Sequence, residues 1–307
     1  MPSVVQARRA LALSAIAGLG VNRPPASAPS AKRLTGPDIT GVSYRVRAEN
    51  GLTTPSLAAG AARAALRAAG IDASDLEMVI VGTTTPDVLW PTTACLVQTD
   101  LQLPMVASFD LYAAETSLLA ALDVATRYVA AGAAAVLLIG AESDNQLVDL
   151  PGQGSAMRGR AASAAVLTQA GGEGGVLATM TGGSARSDAN GDLADRTLLR
   201  GLTDGVGECL GKANLTLPDI DLVIAEQSAP EIMQAWCKTS GVSSSRLVLN
   251  PARYGSLLAA APLMALHDTV VEGRLHNGMT ALLLGCGSGP SWAVTCVRWG
   301  GGGIAEW

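Results

Sequence analysis

Two histidines serve a chain of 307 residues, and neither is placed for nucleophilic chemistry. His267 lies in a helical stretch beside Asp268, and His276 lies in the turn at residues 273–278. No serine or cysteine nucleophile motif adjoins either one. The sequence therefore argues against a Ser-His-Asp triad and against a histidine-based metal site. The five cysteines (Cys95, Cys209, Cys237, Cys286, Cys296) form no CxxC pair and no zinc spacing. An odd, scattered set reads as buried free thiols in a reducing cytosol. There is no basic run, and the net charge is -5, which argues against nucleic acid as a partner. A few local arginines can still hold a phosphorylated ligand on an acidic protein. No apolar run reaches the length of a membrane span. Residues 10–21 are apolar but short, and they follow Arg8 and Arg9 without a convincing cleavage site, so the expected setting is cytoplasmic. Phenylalanine occurs once while glycine occurs 35 times, a balance that lets helices pack closely. With 49% hydrophobic and 15% charged residues, the chain can build a large core in one or two fused domains.

What the chain does contain is a copy of itself. Asp75-Leu-Glu-Met-Val-Ile-Val-Gly-Thr-Thr-Thr-Pro86 returns 144 positions later as Asp219-Ile-Asp-Leu-Val-Ile-Ala-Glu-Gln-Ser-Ala-Pro230. Ala121-Leu122 recurs as Ala265-Leu266, and Val136-Leu-Leu-Ile-Gly140 recurs as Ala281-Leu-Leu-Leu-Gly285. Three elements at a near-constant offset indicate two copies of one α/β unit. A duplicated unit of this kind places its chemistry where the halves meet.

Periodicity predicts helices at 56–69, 116–131, 197–213, 231–240 and 257–271, and strands at 78–81, 106–110, 134–140, 162–168, 222–225, 247–249, 280–285 and 292–299. The helices beginning near Glu115 and near Leu258 are apolar around most of their circumference and are expected to be buried. Residues 22–38, rich in Pro, Ala and Ser, read as a loop or arm, and the turn-rich stretches 171–175 and 185–195 mark the seam. The halves are set at 1–180 and 181–307. Helix–strand alternation repeated twice predicts stacked α/β layers with two central helices.

Three positions stand out. Glu115 sits among small apolar residues between a strand and a buried helix, where an ionised, unpaired carboxylate costs several kcal/mol. It reads either as a capping or ion-paired group or as a functional acid. Glu226 directly follows the strand 222–225, where a charge ordinarily marks the surface. Gly285-Cys-Gly-Ser-Gly-Pro290 is a glycine loop whose N–H groups at Gly287 or Ser288 can approach a ligand and serve as oxyanion donors. It lacks the strand–helix context of a phosphate loop.

Jointly these segments resemble the thiolase superfamily, closest to β-ketoacyl-acyl carrier protein synthase III, over residues 39–299. Thr40-Gly-Val-Ser-Tyr-Arg45 resembles the family's T-G-I-x-x-R. Thr83-Thr-Thr-Pro-Asp87 with Pro91-Thr-Thr-Ala-Cys-Leu-Val-Gln98 is similar to its T-T-x-x-x and P-S-x-A-x-x-V-Q segments. Residues 109–122 resemble the nucleophile segment F-D-x-x-A-A-C-x-G-F-x-x-A-L, Gly159-Arg-Ala-Ala-Ser-Ala-Ala-Val166 resembles G-D-G-A-G-A-x-V, and 285–292 resemble G-F-G-G-G-x-x-W. The resemblance implies a thiolase-like fold, two duplicated α/β halves in an α/β/α/β/α arrangement.

By the same resemblance the family's cysteine nucleophile falls on Glu115, its histidine on Glu226, and its asparagine on Ser256; the aspartate of G-D-G-A-G falls on Arg160. Cys95 matches no catalytic position. A carboxylate does not form the acyl-enzyme that a thiolate does, so ordinary ketosynthase chemistry is not expected. If Glu115 and Glu226 approach each other in one buried tunnel, the pair can share a proton and serve as general acid and base. The backbone N–H of Glu115 and of Gly287 or Ser288 would then polarise a thioester carbonyl. Trp90 falls where the family places a bulky residue at the acyl pocket, often across a dimer interface; simple core packing is the other reading. Arg45, Arg158 and Arg160 would face a pantetheine phosphate or an acidic carrier protein, or would simply be solvent-exposed charge.

Two functional expectations follow. One is an enzyme of bacterial specialised metabolism (polyketide, fatty acyl or antibiotic biosynthesis). It would act on a chain carried by coenzyme A or the phosphopantetheine of an acyl carrier protein, with no permanently bound cofactor and no metal. The other is a catalytically silent subunit paired with a cysteine-containing homologue. A homodimer and a heterodimer both remain open.

Overall fold

The computed structural model describes residues 36–46, 52–143, 160–169, 171, 174–184, 192–226, 229–249 and 257–305, with the side chains of 45, 46, 192 and 193 outside that description. The first sheet contains β1 (Asp38–Val46), β2 (Met78–Gly82), β3 (Ala107–Leu111), β4 (Ala135–Glu142) and β5 (Ala161–Thr168), with β11 (Gly303–Ala305) added from the far end of the chain. Its order is β11-β1-β5-β4-β2-β3. The second sheet contains β6 (Gly175–Gly183), β7 (Leu222–Ala225), β8 (Leu247–Val248), β9 (Thr280–Gly287) and β10 (Ser291–Arg298), in the order β6-β10-β9-β7-β8. In both sheets the matched strands of the repeat run parallel: β2 with β4, and β7 with β9.

The helices are α1 (Thr54–Ala69), α2 (Thr93–Asp100), α3 (Ser117–Ala130), α4 (Asp192–Ala213), α5 (Pro230–Ser240) and α6 (Ala261–Val271), the last preceded by the 3-10 turn Leu258–Ala260. Three apolar clusters give the layering. Ile80, Val136 and Leu138 from the first sheet meet Leu119, Leu122, Leu263 and Leu266 from α3 and α6, and Ile224 and Leu283 from the second sheet. The alternate residues of the same strands, Val79, Val81, Leu137 and Ile139, face α1 and α2. Leu282 and Leu284 face Leu202, Cys209 and Trp236 on α4 and α5. Alternation along strands buried on both faces thus yields five layers, α/β/α/β/α, with α3 and α6 innermost. This is the thiolase-like arrangement expected from the sequence.

Local signals explain most boundaries. Thr53 caps α1 by accepting from the Ser56 N–H, Pro55 sits in its first turn, and Gly70 at φ 64° ends it. The inner helices lie so close to the sheet that two strand positions have no room for a side chain. A Cβ at Gly82 would lie 2.9 Å from the Leu118 nitrogen, and one at Gly140 would lie 2.1 Å from the Ala259 carbonyl oxygen.

Five elements differ from expectation. β1, β6, β11 and α2 form where the sequence predicts no strand or helix, and α4 begins at Asp192, inside a stretch that reads as turn. The arm read at 22–38 lies almost wholly outside the described residues. Cys209, Cys237, Cys286 and Cys296 are buried free thiols. Among the described residues, no helix is long and apolar enough to cross a membrane, and no group of His, Cys, Asp and Glu is arranged to hold a metal ion.

Candidate functional site

β3 delivers the chain into a tight turn built from small residues. Ala114 takes φ 47°, in the left-handed region. The turn is closed by side chains: the Ala113 N–H donates to Ser117 Oγ at 2.8 Å, Ser117 Oγ donates to the Ala114 carbonyl at 2.6 Å, and Thr116 Oγ1 donates to the Ala113 carbonyl at 2.7 Å. This turn points Glu115 inward, leaving it 6% exposed. Its carboxylate crosses to the other half. The Ser288 N–H donates to one oxygen at 2.8 Å and Ser288 Oγ to the other at 2.9 Å. Gly287 makes this approach possible, since a Cβ there would stand 2.1 Å from Glu115 Oε2.

Glu226 is the first residue past β7. Its N–H donates to the Leu284 carbonyl at 2.7 Å, and the residue is 0% exposed. The expectation that a charge after this strand marks the surface is therefore overturned, because β7 lies between β9 and β8 with apolar clusters on both faces. Cys286 precedes Gly287 on β9, and its side chain packs in the outer cluster with Leu202 and Trp236. Burial pushes its thiol up to about 12, and the charges of Glu226, Glu115 and Asp195 add to that. A thiol held so far above neutrality stays protonated and is a poor nucleophile. The end of β9 at residues 285–287 is thus flanked by Glu115 from the helix layer and Glu226 from the neighbouring strand.

Other predicted positions fall elsewhere. Trp90 is 83% exposed, so the core-packing reading is wrong: the short turn carrying it stands off the sheet with Val88 and Leu89, also exposed. Arg160 is half-buried just before β5 and is engaged by other groups. Arg158, Ser256 and the side chain of Arg45 lie outside the described residues. Gly287 and Ser288 are at the site, with Ser288 occupied by Glu115.

Sequence reasoning passed over Glu142, the last residue of β4 and only 2% exposed. Its carboxylate accepts from the Thr84 N–H at 2.9 Å, Thr84 Oγ1 at 2.8 Å, Thr85 Oγ1 at 2.7 Å and the Ala259 N–H at 3.3 Å. Burial raises its pKa to about 7 despite these donors, each of which lowers it. The folded chain therefore holds this proton more tightly than the unfolded chain does. That stabilisation is complete below the ordinary glutamate range and is lost as pH rises from about 4.5 to about 7, an effect of roughly 3 kcal/mol. Glu142→Gln places an amide N–H among donors and is destabilising at acidic pH, but it does not titrate. Chemical denaturation at pH 5 and pH 8 should show the stability gap between wild type and variant narrowing as pH rises.

Two family models match the chain: 3-oxoacyl-[acyl-carrier-protein] synthase III at residues 109–184, and the C-terminal region of the same enzyme at 210–299. A β-ketoacyl-[acyl-carrier-protein] synthase III from Desulfitobacterium hafniense is 31% identical over 294 residues, an alignment spanning 86% of this chain and 89% of that protein. The chain belongs to the β-ketoacyl-acyl carrier protein synthase III family. Synthase III from Aquifex aeolicus superposes with a TM-score of 0.77 at 27% identity, covering 86% of this chain and all of that one. OleA from Xanthomonas campestris superposes with a TM-score of 0.78 at 17% identity over 87% of this chain and 99% of its own, a likeness of fold alone. Within this synthase III-like chain, Glu115 and Glu142 fall in the first matched segment, and Glu226, Gly287 and Ser288 in the second.

Proposed function

We propose that this chain is a divergent synthase III-like enzyme of specialised polyketide or fatty acyl metabolism. It acts on an acyl chain carried as a thioester on coenzyme A or an acyl carrier protein. The chemistry is acid–base, with Glu115 and Glu226 transferring protons α to the carbonyl in a cyclisation, aldol or Michael addition, dehydration or isomerisation. Ser256 is the third candidate catalytic residue, and Arg45, Arg158 and Arg160 are candidates for the carrier's phosphate. No acyl-enzyme forms, because the family's nucleophile position carries Glu115. The observation that carries this reading is that two buried carboxylates, one ahead of α3 and one after β7, lie around the end of β9, where burial keeps the Cys286 thiol protonated. Ser288 must release Glu115 before its N–H can polarise a substrate carbonyl.

A second reading is favoured by two observations. Both donors of Ser288 are taken by Glu115. In addition, among the described residues β3 is the end strand of its sheet, and Leu89, Trp90, Met105 and Tyr112 are exposed in the segments next to it. An unpaired edge with exposed apolar side chains suits continuation of the sheet by a homologous chain. In this reading the protein is the silent partner of a cysteine-bearing homologue.

Intact-mass measurement after incubation with acyl-thioesters tests both. The expected result is product formation by the isolated chain with its mass unchanged. A covalent acyl adduct overturns both readings. Product formation that requires a co-purifying homologue favours the silent subunit.

A further inference from the structure

The two inner helices are entered in the same way. Ala114 (φ 47°) precedes Glu115, and Leu258 (φ 45°) precedes Ala259; the two left-handed residues are 144 positions apart, the spacing of the repeat. At each entry a carboxylate crosses between halves. Glu115, at the entry to α3, takes the donors of Ser288 beyond the second half's β9. Glu142, at the end of the first half's β4, takes the N–H of Ala259 at the entry to α6. In the alignment of the two matched strands, Gly287 and Ser288 stand where Glu142 and Ser143 stand. The carboxylate sits on the helix entry in one tie and on the strand end in the other, yet each joins the same two places.

We propose that Glu142 is a positioning residue for the Glu115 site, the second of two pseudo-symmetric carboxylate ties across the seam. This rests on the reading of Glu115 as the centre of the site. The connection is mechanical. Glu142 grips Thr84 and Thr85, two and three residues past Gly82. The backbone of Ser117 and Leu118 rests on Gly82 with no space for a side chain, while Thr116 and Leu119 of the same helical turn rest on Gly285. The first turn of α3, with Glu115 just ahead of it, is therefore wedged between the end of β2 and the end of β9. Glu142 fixes the first of these and, through Ala259, the neighbouring entry to α6. Releasing the tie loosens the wedge at the end of β9, where Cys286 lies.

Cys286 provides a local readout, and Cys209 and Cys296, buried in the same apolar cluster, provide the controls. The experiment is iodoacetamide labelling of the full chain at one pH, with rates resolved by peptide mass mapping, for wild type, Glu142→Gln and Thr85→Val. The Thr85 variant keeps the carboxylate, removes one donor, and serves if the glutamine variant fails to fold. The expected result is labelling of Cys286 about tenfold faster or more in the variants, with Cys209 and Cys296 changed by less than about threefold, as selective opening of one region requires. A parallel rise at all three thiols means that Glu142 contributes only general stability, and it overturns the proposal. An unchanged Cys286 overturns it as well. None of these outcomes depends on substrate turnover, so failure of the thioester reading would be recorded separately.

Discussion

Glu115→Gln is expected to lower turnover of an acyl thioester by about 10²–10⁴-fold, the contribution of a positioned general acid or base. The fold should survive the change. Glutamine has nearly the same shape, its carbonyl oxygen still accepts from the Ser288 N–H, and the hydroxyl of Ser288 can turn to accept from the new amide. Stability should therefore shift by less than about 1 kcal/mol. If the carboxylate acts only in proton transfer, the loss appears in kcat with KM unchanged. The two quantities, read from steady-state kinetics and a thermal melt of the same preparation, must separate in this way. Full activity in the glutamine variant would remove Glu115 from the chemistry.

Gly140→Ala is expected to lose at least about 3 kcal/mol, the upper end of overpacking costs. The new methyl would lie 2.1 Å from the carbonyl oxygen of Ala259 and 3.1 Å from Leu118 Cδ1. The first obstacle is backbone belonging to the other half, so no side-chain rotation relieves it. Either β4 or the entry to α6 must move, and the Ala259 N–H is then pulled from Glu142. Gly207→Ala is the control: this glycine is exposed within α4 and nothing lies near the added carbon. It should gain about 0.5–1 kcal/mol from helix propensity. Urea denaturation of the two variants should give shifts of opposite sign.

The elements legible in the sequence are those whose pattern is self-sufficient. Leu222–Ala225 was placed to the residue, because four apolar residues stand between Asp221 and Glu226. β6 gives no local strand signal because threonines interrupt its apolar residues and glycines bound it, and it falls between the two turn-rich stretches 171–175 and 185–195. It becomes a strand through pairing with β10, a contact that no local window contains. β1 was hidden in the same way: its outward signal is a motif, while its structure comes from pairing with β5. At the site, Glu115 and Glu226 are visible because each sets a charge in an apolar context, beside a buried helix and directly after a buried strand. Glu142 is not, because a glutamate closing a strand ordinarily signals solvent. Its burial depends on Thr84, Thr85 and Ala259, which lie 57 to 117 positions away. The sequence offers the Ser288 N–H as an oxyanion donor; in the fold that N–H and the Ser288 hydroxyl donate to the chain's own Glu115 carboxylate.

The addition of β11 to the first sheet has a consequence for the order of events during synthesis. β1 pairs with Gly303–Ala305, and His267 meets the Ala305 carbonyl at 3.2 Å while its ring stands edge-on to Tyr44. The outer partner of Gly41 is therefore synthesised 262 positions after it (303 − 41), and that flank of the sheet waits for its neighbour while every residue between them is made.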